Sequence, residues 1–113
     1  MEKIIKINQY SIEFTNNLEL YSSHQQECCE EHYLDFSGID IEDVRNLEFD
    51  LNSDDFFEKV EGYGIRLLPK NGLPLSIPGY SNNNGYYSDD LLLKLTLNGD
   101  NVLKKFDITN CQS

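Results

Sequence analysis

Between residues 3 and 108 the apolar side chains fall mainly at every second position, in short runs broken by Asn, Gly and Pro. Alternation of this kind puts one set of side chains on one face of an extended backbone, so it specifies half-buried β-strands. Ile4, Ile5 and Ile7, then Tyr10, Ile12 and Phe14, predict strands over residues 3–8 and 10–15. Asn16 and Asn17 tolerate the left-handed backbone of a tight turn and predict a hairpin into a strand over 18–21. A short apolar segment follows at 33–36, and 47–51 alternates apolar and acidic residues cleanly. Residues 63–68 predict another strand, and 73–77 a short one that Pro74 places at a sheet edge. The leucine-rich 91–97 reads as a central strand covered on both faces. Asn98-Gly99-Asp100 is the strongest hairpin signal and joins it to a strand over 102–108.

Helix signals are few. Asp40 is a good N-cap for one turn over 41–46, with Asp43 three residues on as a capping-box partner. Ser53, followed by Asp54 and Asp55, predicts a second helix of about two turns, with Phe56 and Val60 on one face and Gly62 as its stop. The expected class is α+β: mainly antiparallel β-sheet with one or two short helices, in a single domain spanning 1–113. A length of 113 residues suits one core.

Charge narrows the range of partners. Nine basic residues against twenty acidic ones leave a formal charge of −11. That balance repels phosphate backbones and anionic membranes, so no direct nucleic-acid or membrane binding is expected. No apolar run suits a signal peptide or a membrane span, which predicts a cytoplasmic protein. The three cysteines, Cys28, Cys29 and Cys111, are an odd number and two are adjacent, so reduced thiols are expected.

Two stretches interrupt the alternation. Residues 24–33 gather both histidines, two cysteines and three glutamates, and residues 78–88 gather Tyr80, Asn82, Asn83, Asn84, Tyr86 and Tyr87. Glu27-Cys28-Cys29-Glu30 and Ser81-Asn82-Asn83-Asn84-Gly85-Tyr86-Tyr87-Ser88 together resemble the two signatures of a small uncharacterised domain family of phages, prophages and gut bacteria. That family carries an acidic-Cys-Cys-Glu motif and a Ser-Asn-Gly-Tyr-Tyr-Ser motif, and the resemblance spans residues 12–97. This chain departs from it by two extra asparagines in the second motif. The resemblance implies an accessory protein of a phage or mobile element, and it implies no catalytic residue.

Read residue by residue, the first stretch offers a metal set. His24, Cys28 and His32 recur every four residues and would share one side of a helix, although Cys-x-x-Cys spacing is missing. A thiol-redox role for Cys28 and Cys29 is the companion possibility, opposed by Glu27, Glu30 and Glu31, whose charge disfavours a thiolate. The plainer alternative is that the cysteines pack as small hydrophobes. A small-ligand-binding protein or an enzyme is the remaining alternative, without a nucleophile elbow or phosphate-binding loop to support it.

The second stretch suits contact. Tyrosines give rigid amphipathic area and asparagines give adaptable hydrogen bonds. The expected protein is therefore non-catalytic and needs no cofactor. It is expected to meet a host or phage protein through an acidic surface and the residues Tyr80, Asn82, Asn83, Asn84, Tyr86 and Tyr87.

Overall fold

The computed structural model describes residues 1–23, 31–82 and 90–112. Among them the strands are β1 (Glu2–Ile7), β2 (Ser11–Phe14), β3 (Leu18–Ser23), β4 (Glu31–Leu34), β5 (Glu48–Phe49), β6 (Phe57–Val60), β7 (Gly64–Leu67), β8 (Leu75–Asn82), β9 (Leu92–Leu97) and β10 (Asn101–Asp107). They pair antiparallel in two sheets, one of order β10-β9-β3-β2-β1-β5 and one of order β4-β8-β7-β6. The architecture is mainly antiparallel β, as the alternation predicts. Among the described residues helix is confined to α1 (Ile41–Val44) and to 3-10 turns at Thr15–Asn17 and Asp54–Phe56, too little to form a layer.

Both sheets line one core. Ile12, Phe14, Leu20, Leu93 and Leu95 enter it from the six-stranded sheet, and Leu34, Ile65, Leu67 and Ile77 from the other. The two hairpins that asparagine predicted are present. Asn16 and Asn17 have φ of 63° and 61°, and Asn98 and Gly99 have 58° and 82°. The Asn98 N–H donates to the Asn17 carbonyl at 2.9 Å, so the two turns hold each other as β3 and β9 pair from Leu18 and Leu97 onward. Asp40 caps α1 as expected, accepting from the Glu42 N–H at 3.0 Å.

Four expectations need correction. The helix expected from Ser53 stops after one 3-10 turn, and residues 57–60 form β6, paired with β7. A helix would bury Phe56 and Val60 but turn Phe57 outward. With the turn ending at Phe56 and the strand beginning at Phe57, both rings are buried and both pack on Phe106 of β10. Gly62, at φ 73°, closes the β6–β7 hairpin and does not end a helix. The strand expected over 47–51 shrinks to two residues, Glu48 and Phe49, which pair with Lys3 and Glu2 of β1.

The short edge strand expected over 73–77 is instead the eight-residue β8, interior to its sheet and containing Pro78. Proline in an inner strand needs an irregularity in the ladder. Here Pro78 lies opposite Gly64, where a Cβ would run into the Ile77 carbonyl oxygen and approach the Gly79 nitrogen to 2.7 Å. Glycine thus lets the two backbones close on each other. Lastly, β9 is central but covered fully on one side only: Leu93 and Leu95 are buried, while Leu92 and Lys94 are half-exposed.

The chain after β10 crosses from one sheet to the other. Ile108 and Cys111 are buried in the core, and the Asn110 carbonyl accepts from Gly62 N–H in the β6–β7 turn. Gly79 of β8 packs so closely on Cys111 that a Cβ there would strike its carbonyl oxygen. Gln112 reaches His32 of β4. No helix among the described residues is long and apolar enough to cross a membrane.

Candidate functional site

β4 and β8 lie side by side with Tyr33 directly opposite Tyr80. On β4, His32 and Leu34 point inward and are buried, so alternation turns Tyr33 to the outer face. On β8, buried Ile77 and Gly79 put Tyr80 on that same face. The two rings lie 5.4 Å apart between centroids, tilted by 38°. Such cross-strand aromatic pairs stabilise a sheet by up to about 1 kcal/mol.

A third ring extends the pair. Tyr10, in the connection between β1 and β2, meets Tyr33 edge-on at 5.3 Å and 84°. That connection is fixed by two backbone hydrogen bonds of 2.9 Å, Asn8 N–H to the Ser11 carbonyl and Phe36 N–H to the Gln9 carbonyl. The result is a row of three tyrosines that begins at the six-stranded sheet and crosses two strands of the other. Tyr10 is 53% exposed and Tyr80 42%, with Tyr33 half-buried between them. Asp35 comes just after β4, its carboxylate accepting from the Ser37 N–H and hydroxyl at 2.9 and 2.6 Å. Beside the row, a depression of about 480 Å³ opens between Ile5–Gln9 and the turn before α1, with Gln9, Ser37 and Asp40 on its walls.

Of the residues expected to make contact, Tyr80 is therefore placed in an exposed aromatic row. Asn82 ends β8, its backbone paired with Glu31. Asn83, Asn84, Tyr86 and Tyr87 lie outside the described residues, as do His24, Cys28 and Cys29. Chain connectivity still relates the two stretches. Residues 24–30 join β3 to β4 and residues 83–89 join β8 towards β9, while Glu31 pairs with Asn82 and Ser23 with Leu92. The described residues that flank the two motifs, Glu31 and Asn82, therefore face each other across β4 and β8.

The third expected metal ligand stands on a strand, so the four-residue helical spacing from His24 does not extend to it. His32 is 6% exposed, and its Nδ1 lies 2.6 Å from Gln112 Oε1. Among the described residues, no group of three or more His, Cys, Asp or Glu side chains is placed to hold a metal ion. Cys111 is a free thiol, and burial pushes its pKa above the ordinary thiol value, away from nucleophilic use. It lines a shallow hollow of about 370 Å³ with Lys59 and Asp107. The Asp107 carboxylate lies below its usual range because the Thr109 hydroxyl and N–H both donate to it, at 2.6 and 3.0 Å. Arg45 and Arg66 are ion-paired to Glu42 and Glu58, at 2.9 and 3.0 Å.

The sequence reading missed Tyr10 and Tyr33. The signal was present for Tyr33, since an aromatic residue between inward His32 and Leu34 must face out. Tyr10 could be found only from the fold. Comparison of the chain with protein-family models, with curated proteins and with solved structures finds no match.

Proposed function

We propose that this protein is a non-catalytic binding module that makes contact through the row Tyr10, Tyr33 and Tyr80, with Asn82, Asn83, Asn84, Tyr86 and Tyr87 of the sequence motif as further contact residues. One observation carries the reading: two tyrosines are more than 40% exposed at opposite ends of a row whose middle ring is locked between them. Rigid, amphipathic rings lose little conformational entropy on contact, which is why such residues anchor interfaces. The hollows near the row and near Cys111 are open rather than enclosed, and the Cys111 thiol is held neutral. Within the proposal the partner is a protein, and the Glu27-Cys28-Cys29-Glu30 and tyrosine signatures point to an accessory role in a phage or mobile element.

The test is affinity capture from a bacterial lysate with the wild type, Tyr10→Ala with Tyr80→Ala, and Tyr86→Ala with Tyr87→Ala, quantified by mass spectrometry. A partner lost with either pair is the expected result. A partner held equally by all three forms, or no partner at all, ends the proposal.

A further inference from the structure

The nine cationic side chains are unevenly placed. Residues 7–44 hold nine acids and no Lys or Arg, and residues 71–93 hold two acids and no Lys or Arg. Tyr10 and Tyr33 come from the first run and Tyr80 from the second. The cations stand on β1, β6, β7, β9 and β10 and in the connections after α1 and β7, so β4 and β8 carry none. Several are also engaged: Arg45, Arg66 and Lys104 pair with Glu42, Glu58 and Asp54 at 2.9 to 3.0 Å. The fold therefore folds two cation-free runs together under one aromatic row.

We infer that this row takes an extended protein segment bearing Lys or Arg side chains, which rest on the exposed faces of Tyr10 and Tyr80. The inference rests on the reading of the row as the contact surface and names the chemistry of its partner. An aromatic face carries negative potential and attracts a cation within about 6 Å of its centroid, a guanidinium more often than an ammonium. Neighbouring centroids at 5.3 and 5.4 Å leave no gap for a cation between rings, so the cations lie on the outer faces. An extended chain projects side chains to one side every ~6.7 Å. The two outer rings lie no more than about 11 Å apart, between one and two such repeats, so cationic residues two or four apart on one strand-like segment reach both of them with their flexible stems. A protein of charge −11 favours approach of such a segment at long range and opposes a phosphate-bearing one.

The experiment uses the full chain at roughly physiological ionic strength and fluorescence anisotropy of labelled peptides. One peptide alternates Arg and Ser, a second replaces each Arg by Gln, and spermine serves as an unlabelled competitor. The Arg peptide is expected to bind at least roughly ten-fold tighter than the Gln peptide. Tyr10→Ala and Tyr80→Ala should each weaken it roughly three- to five-fold, whereas Tyr10→Phe and Tyr80→Phe, which keep the ring face, should stay within about two-fold. The Phe variants also guard against a misfolded Ala variant, and ring-proton shifts of Tyr10 and Tyr80 on titration give a readout that needs no variant. Arg and Gln peptides binding alike, both through the tyrosines, overturns the cationic partner and leaves the contact surface standing. Arg-peptide binding indifferent to both tyrosines, or no binding, overturns the inference, and the capture experiment then decides the surface on its own. Displacement by spermine at equal molar concentration also overturns it, because the site would then read charge without a chain.

Discussion

Thr96 shows what one side chain can cost. It is 1% exposed on β9, and its Oγ1 has no hydrogen-bond partner among the described residues. A buried hydroxyl without a partner forfeits its hydration and receives nothing in return. Thr96→Val keeps the branched shape that suits a strand and removes the stranded oxygen. It is expected to stabilise the fold by about 1 kcal/mol in urea unfolding; a destabilised variant would show that the hydroxyl is satisfied. Cys111 makes the opposite kind of statement through pH. Because burial raises its pKa, the unfolded chain ionises this thiol first as pH rises. Its contribution is intact below the ordinary thiol pKa of about 8.5 and is lost as pH climbs toward the folded value. With Cys28 and Cys29 changed to Ser, the urea midpoint should fall more steeply between about pH 8 and 10 for the protein with Cys111 than for Cys111→Ala. Parallel slopes would contradict the buried, neutral thiol.

At the scale of elements, what was legible in the residues is what local backbone chemistry dictates. Asn16, Asn17, Asn98 and Gly99 all adopt the positive φ that marked them as hairpin turns, and Asp40 caps α1. The same logic found most of the strands. It failed at β6 because Ser53-Asp54-Asp55 does begin a helical turn, and only Phe106 and β7, distant in sequence, decide that Phe57 continues as a strand. It failed at β8 because Pro74, which marked an edge, lies just before the strand, and because Gly64 lets β7 close on Ile77 and Gly79, a partner no spacing reveals. Of the candidate site, Tyr80 was visible as an exposed loop-like tyrosine, while Tyr10 joins it only when the β1–β2 connection meets β4. The segment after β10 belongs here too, since it ties both sheets with short-range contacts and no pairing. Ending the chain at Asp107 removes buried Ile108 and Cys111 and the contacts of Asn110 and Gln112. Two buried apolar side chains and four hydrogen bonds to the rest of the chain, from Ile108, Thr109, Asn110 and Gln112, predict a loss of about 5–8 kcal/mol, and Gln112→Ala alone about 1 kcal/mol. A truncated chain with an unchanged urea midpoint would show that the segment only rests on the sheets.

For the whole molecule the governing quantity is charge. Twenty acids against nine cations mean that folding gathers like charge, a penalty that the partial ion pairs at Lys6, Arg45, Arg66 and Lys104 relieve only locally. These pairs are largely exposed, and exposed pairs contribute little each. Salt screens repulsion over about 10 Å at 0.1 M, so the folded state should gain from it. Raising NaCl from about 0.01 to 0.3 M is expected to stabilise the protein by roughly 1 kcal/mol, a rise in Tm of about 4–5 °C for a chain of this length. Binding of the Arg-bearing peptide should move the other way over the same range, because the attraction that steers it is screened by the same ions. Opposed slopes measured on one preparation separate the two effects of a single charge distribution: repulsion inside the protein and attraction toward its partner. If salt strengthens both, the contact is apolar and the tyrosines act as hydrophobic area. If salt weakens both, the acids are held in stabilising pairs, and the charge is spent on the fold rather than on recognition.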